Sequence, residues 1–360
     1  MNISINQIYY LDEQKDRLEN SFSPFLNESK TGKKWFEYFV FLDQFQNRRN
    51  WENQLTGFIS WKYGVKTAVS GDKFIQFIEE NPGKDVYFIN PFYIESLMYK
   101  SQWEGAEYHH PGIIELTEFI FTKIGYDIEL IHRVQDLNLQ LYANYWVGSE
   151  KFWEKYISFT KPIYDFIENC KDIEFQEKIM NRADNEIEAP YIPFIMERLF
   201  TLILLSDKSI HFASYEYSEE ENQNKYQMVY DFFPILEKIK DSESKNAITE
   251  QEISFRMKFR DINECFDREM RSVFIERDKG NFFKVLYLFA TVKSLKDFSA
   301  LYSQSKLLKP KLKFSLSWML TFSISWRIKL FSQYFSIKRF LYLLKRTFRK
   351  FKKLLIFEKF

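Results

Sequence analysis

Glu197 and Arg198 stand side by side in residues 190–205, a stretch that is otherwise almost wholly apolar. Charges carried into an apolar helix are costly unless they are paired or face a polar cleft. Two assignments follow. Either the two groups satisfy each other or a neighbour, or Glu197 acts as a base toward a hydroxyl while Arg198 pairs with an anion. A second concentration of chemistry is His109-His110, with Glu104 and Glu107 just upstream. Glu107 and His109 are candidates for proton transfer, and His110 for a substrate contact. No further His or Cys stands near, and adjacent residues point apart, so a loop that touches substrate or caps the next helix is preferred to a metal site. The chain holds no GxGxxG after a strand, no P-loop, no HExxH and no GxSxG.

These side chains need a scaffold. Residues 1–215 alternate short apolar runs with helical periodicities, as βα units do. Strands are expected over 3–10, 55–60, 85–90 and 137–147, the last from strict alternation. Helices are expected from Ser70 to an Asn81-Pro82-Gly83 stop, from Pro111 to Gly125, from Ser149 to a break at Pro162, and over 190–205. Residues 102–110 and 218–225 are expected as a loop and a solvated linker. The spacing Thr249-Glu-Gln-Glu252 predicts a capping box, and helical patterns continue beyond it.

Open α/β sheets bind ligands outside the carboxyl ends of their strands. That rule selects residues 9–12, 60–62, 90–92 and 144–146. It puts Trp61, Lys62, Asn90, Asn144 and Trp146 at one mouth, with Lys66 just beyond and Arg198 and His110 as further contacts. Amides, aromatic rings and cations suit a sugar and the phosphates of its carrier. The competing assignments are an ordinary core position for Trp61 and an exposed strand position for Asn144. Asp85 falls at the opposite, amino end of its strand.

Hydrophobic residues at 45% with 28% charged residues exclude a wholly disordered chain. The two cysteines are far apart, which argues against a disulfide framework or a structural zinc site and fits a reducing, cytoplasmic setting. The opening residues have no cationic start followed by an apolar run, so no secretory signal is expected. The net charge of +1 conceals a segregation. Residues 306–360 hold 15 Lys and Arg against the single acid Glu358, leaving 36 basic and 49 acidic residues elsewhere. Within this tail the longest uncharged stretch, residues 314–326, is too short to span a bilayer. From residue 337 onward, apolar residues recur at helical spacing between Lys338, Arg339, Lys345, Arg346, Arg349, Lys352 and Lys353. That is the pattern of a helix lying in an anionic membrane interface. Packing on the acidic body is the competing assignment. Nucleic acid is not expected as a partner, because the body would repel it.

Five segments carry a resemblance: Gly57-Phe-Ile-Ser-Trp-Lys62, Asp85-Val-Tyr-Phe-Ile-Asn-Pro91, His109-His-Pro-Gly112, Asn144-Tyr-Trp-Val-Gly148 with Phe152-Trp153, and Glu197-Arg-Leu-Phe200. In this order they resemble bacterial glycosyltransferase-like proteins encoded with capsule and O-antigen genes. The resemblance covers about residues 1–205. It implies a GT-A-like, mostly parallel open sheet flanked by helices, with a nucleotide-sugar donor and a glycan or lipid-linked acceptor. The organisation expected is an α/β domain over 1–215, a helical extension over 216–305 and a basic amphipathic tail over 306–360. The protein would sit on the inner face of the cell membrane as a peripheral protein. No Asp-x-Asp stands at a strand end, so use of Mn²⁺ or Mg²⁺ stays open, with Lys62, Lys66 or Arg198 as alternative sources of positive charge for a departing diphosphate. The alternative is a catalytically inactive relative that binds glycan or scaffolds at the membrane surface.

Overall fold

The computed structural model describes residues 2–28, 34–48, 51–181, 183 and 189–275, without the side chains of 227, 228 and 264–275. The tail, with its basic rim from Lys338 to Lys353, lies outside the described residues. In chain order the strands are β1 (Asn2–Tyr9), β2 (Ser23–Leu26), β3 (Gln54–Ser60), β4 (Val86–Phe88), β5 (Trp146–Ser149) and β6 (Phe212–Ser214). The helices are α1 (Glu37–Gln46), α2 (Tyr63–Thr67), α3 (Gly71–Glu80), α4 (Tyr93–Met98), α5 (Gln102–His109), α6 (Ile113–Ile124), α7 (Glu129–His132), α8 (Glu150–Asn169), α9 (Ile173–Met180), α10 (Tyr191–Ser206), α11 (Glu219–Tyr226), α12 (Phe233–Ser244) and α13 (Glu250–Ile275).

The strands form one open, six-stranded α/β sheet in the order β2-β1-β3-β5-β4-β6. The pairs β1–β2, β1–β3 and β4–β6 are parallel, and β5 runs against both of its neighbours. Side-chain alternation divides the core in two. Ile8, Phe58, Val86, Phe88 and Trp146 face the layer that includes α1, α5, α6, α8 and α10, whereas Ile5, Leu55, Ile59, Tyr87, Tyr145 and Val147 face α2 and α3. Gly57 lets β3 and β5 approach, since a Cβ there would stand 2.8 Å from the Trp146 carbonyl oxygen.

Local signals hold at several boundaries. Ser70 Oγ accepts from Lys73 N at 3.3 Å, and Ser149 Oγ accepts from Phe152 N at 3.2 Å, each opening its helix. Gly125 ends α6 at φ 77°. Four expectations are corrected. Residues 137–147 are not one strand. Residues 137–139 turn as a 3-10 helix, and Thr201 on α10 takes their backbone groups: its Oγ1 donates to Leu139 O at 2.9 Å and accepts from Leu141 N at 3.3 Å. Pro162 does not break α8, whose apolar face from Phe152 to Ile167 stays buried throughout. Residues 102–109 are a helix, started by Ser101. Residues 219–226 are also helical, and Glu221 ties them to Lys73 at 2.8 Å.

The described residues divide into two compact units, Met1–Lys225 with Leu236–Ile248, and Tyr226–Ile235 with the chain from Thr249. In the second unit Phe232 packs against Phe255 and Phe259. The capping box there forms as spaced: Thr249 N donates to Glu252 Oε2 at 2.9 Å, and Glu252 N to Thr249 Oγ1 at 3.2 Å. Among the described residues no helix is long and apolar enough to cross a membrane.

Candidate active site

β1, β3, β4 and β6 end at one edge of the sheet, and the reversed β5 begins there. From β1 the chain moves outward to β2, whereas from β3 it moves the other way to β4. The carboxyl ends of β1 and β3 therefore flank a topological switch point, where open sheets receive ligands. Around it stand Tyr10 after β1, Ser60, Trp61 and Lys62 after β3, and Asn144 and Tyr145 before β5. Asn144 reaches this edge because β5 is reversed, not because a strand ends there.

Tyr145 joins the parts. Its carbonyl accepts from Ile89 N at 3.0 Å, its hydroxyl lies 3.5 Å from Ser60 Oγ, and its ring packs 5.5 Å from that of Tyr63 on α2. One turn along α2, Lys66 Nζ lies 5.3 Å from the Phe92 ring and 5.9 Å from the Tyr145 ring. Trp61 is bracketed by two cations, Arg17 at 5.3 Å and Lys62 Nζ at 5.4 Å from its ring.

Glu197 on α10 is half-buried and makes no hydrogen bond or ion pair among the described residues. Burial raises its carboxyl from an ordinary 4.5 to about 7. Lys66 opposes that shift most strongly, Glu37 adds to it, and Arg198 and Lys62 oppose it. The fields of Glu37 and Glu197 also reach Tyr145 and Lys62. Burial and the neighbouring Lys66 together lower the Lys62 ammonium. Two carboxylates, two lysines and Tyr145 thus act on one space. A carboxyl that titrates near neutrality can exchange a proton with a hydroxyl, and the lysines can balance an anion beside it.

Nothing in the sequence around Glu37 singles it out. It opens α1 after Phe36, a bulky residue held at φ 49°, where side chains are strained. No local pattern marks an acid at a helix start as functional.

No protein-family model, curated protein or solved structure matches this chain.

The remaining expected site residues divide by what their polar atoms already hold. Asn144 is buried, and its Oδ1 accepts no hydrogen bond among the described residues, so it is not the exposed strand residue of the competing assignment. Arg198 is buried and donates to Phe194 O at 2.6 Å and Gln102 O at 3.3 Å, which ties α10 to α5. Two of its N–H groups are thereby held by main-chain carbonyls. Asn90 is also spent locally: Nδ2 donates to Ser96 Oγ at 2.9 Å, and Oδ1 accepts from Phe92 N at 3.0 Å. Trp146 is a core residue, packed on Trp153 at 4.3 Å and Tyr156 at 4.9 Å. Glu107 caps α6, accepting from Gly112 N at 2.7 Å and Ile114 N at 3.1 Å. His110 stacks on Phe194 at 3.9 Å, and its Nδ1 lies 3.2 Å from Ala183 O. His109 faces Glu95 at 3.6 Å and the Tyr99 hydroxyl at 3.4 Å, a set to which Glu197 makes no direct bond. Asp85 lies at the far edge, where its Oδ2 accepts from His211 N at 2.8 Å. A shallow depression lined by Tyr126, Leu130, Phe159, Ile203 and the Lys155–Asp207 pair contains none of the expected site residues.

Among the described residues no three His, Cys, Asp or Glu side chains gather as metal ligands, and the charge that most strongly opposes the shift of Glu197 is that of Lys66.

Proposed function

We propose that this chain is a GT-A-like glycosyltransferase that moves a sugar from a nucleotide donor to a hydroxyl of a glycan or lipid-linked acceptor. One observation carries the reading: Glu197, unpaired and titrating near 7, stands within the fields of Lys62 and Lys66 at the carboxyl edge of the sheet. In such a transfer the bond from the anomeric carbon to the diphosphate oxygen breaks, and its electron pair leaves with the diphosphate. Lys62 and Lys66 balance that charge, an electrostatic contribution that preorganised cations make without reorganising. The acceptor oxygen forms the new bond to carbon, and its proton passes to ionised Glu197. Trp61, partly exposed at the end of β3, offers an aromatic face beside the sugar.

The reversed strand between parallel neighbours supports the finer fold assignment, because it delivers Asn144 and Tyr145 to the ligand edge. Attachment to an anionic membrane through residues 306–360 would hold the enzyme on the surface that carries its acceptor. The test is release of nucleoside diphosphate from a panel of nucleotide sugars by the full chain. Wild type should release it, and Glu197→Gln should lower the rate about 100-fold or more. Equal turnover by both proteins would remove Glu197 from the mechanism. Binding of glycan without turnover of any donor would favour the inactive, glycan-binding alternative.

A further inference from the structure

Lys225, near the end of α11, is embedded in the same compact unit as the cleft. Its Nζ donates to Pro91 O at 2.6 Å, to Thr67 O at 3.2 Å and to the Tyr217 hydroxyl at 3.3 Å. An ammonium has three donors and no acceptor, and here three oxygens meet it. The Tyr217 ring completes the enclosure at 4.7 Å. Burial draws the amine's pKa down to about 7 against the field of Glu221. The segment leading to Lys225 is fastened in turn: Glu221 accepts from Lys73 Nζ at 2.8 Å, the Tyr215 hydroxyl at 2.8 Å and Ser218 N at 2.7 Å.

The two carbonyls matter because of their neighbours. Thr67 is the last residue of α2 and follows Lys66; Pro91 precedes Phe92. Lys66 and Phe92 are the groups that meet at 5.3 Å in the cleft. A single half-buried amine thus holds both backbones that set that contact. We propose that Lys225 is a positioning residue, clamping the end of α2 to the loop after β4 so that Lys66 is held against Phe92 and Tyr145. Truncating it leaves two backbone carbonyls without their donor and frees the two segments to separate.

The effect on Lys66 is independent of ligand chemistry; the effect on anion binding rests on the cleft being a diphosphate site. The experiment reads both. In the full chain, lysine acylation by an N-hydroxysuccinimide ester is followed by mass spectrometry, with exposed Lys123 and Lys151 as internal references. Lys225→Met should raise the relative labelling rate of Lys66 about five-fold, and Lys225→Arg should restore most of the protection, because a guanidinium can still serve the three oxygens. Tyr217→Phe removes one oxygen only and should raise labelling about two-fold, which keeps the test decisive if the Met variant fails to fold. Binding of inorganic pyrophosphate, measured by calorimetry, should weaken about ten-fold in Lys225→Met and at least as much in Lys66→Met. Unchanged Lys66 labelling in folded Lys225→Met, or in Tyr217→Phe should the Met variant not fold, overturns the clamp. Raised labelling in a protein whose wild type does not bind pyrophosphate keeps the clamp and refutes the diphosphate site.

Discussion

Replacing Glu197 by Gln should make the protein more stable at alkaline pH while abolishing transfer. In the folded chain burial raises this carboxyl from 4.5 to about 7, so folding favours its neutral form. Between those two values the folded state binds more protons than the unfolded one, and stability falls as pH rises. The cost of ionisation is absent below 4.5 and complete above about 7. Each pH unit is worth about 1.4 kcal/mol, so the full cost is about 3.5 kcal/mol as an upper bound. Half-burial and solvent relaxation bring it nearer half of that. Gln resembles the protonated acid in shape and cannot ionise. Urea unfolding of the first compact unit, followed by its tryptophan fluorescence, should therefore show little difference between the proteins at pH 5. At pH 8 the Gln variant should be more stable by about 1–2 kcal/mol. Sugar transfer by the same preparation should be lost. A variant destabilised by the same amount at both pH values would mean that Glu197 is a hydrogen-bonded structural residue, and the reasoning from its unpaired state would fail.

Lys66→Met removes the largest influence opposing protonation of Glu197, so the acid limb of the pH–rate profile should move upward from near 7, together with weaker donor binding. Glu107→Ala uncaps α6 and should cost about 1 kcal/mol in thermal unfolding, with specific activity of the folded protein unchanged. Gly57→Ala drives a methyl against the Trp146 carbonyl and the Val147 side chain, and should destabilise by about 1–3 kcal/mol in the same measurement. Changing Lys338, Arg339, Lys345, Arg346, Arg349, Lys352 and Lys353 to Gln should release the chain from phosphatidylglycerol vesicles; equal co-sedimentation with wild type would make the tail structural.

Strands β3 and β4 were legible because they are buried on both faces and read as apolar runs, as in Asp85-Val-Tyr-Phe-Ile, whereas β5 was expected over 137–147 and forms only at Trp146–Ser149. The edge strands were not. Ser23-Pro-Phe-Leu contains a proline, which an edge tolerates, and Phe212-Ala-Ser is too short for a period to show. Sequence spacing also carries no direction, so nothing in residues 146–149 announced that β5 is reversed. Among site residues, Glu197 stood out because a charge in an apolar helix needs a cause, and Lys62 and Lys66 because they follow a strand. Asn90, Glu107 and Trp146 have suitable chemistry, but a side chain, two backbone amides and an aromatic core already engage them. Glu37 was hidden for the opposite reason. Its role comes from where α1 starts in space, which no neighbouring residue encodes.

The hydrogen bond from Ile89 N to Tyr145 O ties the two ends of a long excursion together at the ligand edge. Residues 90–144, with α4 to α7, leave the sheet and return to it at one spot. Such an excursion is a cassette with a common doorway. Its contents are nonetheless bound to the site, because Gln102 and Leu139 within it accept hydrogen bonds from Arg198 and Thr201 of α10, and Phe92 at its start lies against Lys66. A change inside the excursion is therefore felt by the helix that carries Glu197, even while the pairing of β4 with β5 closes the doorway.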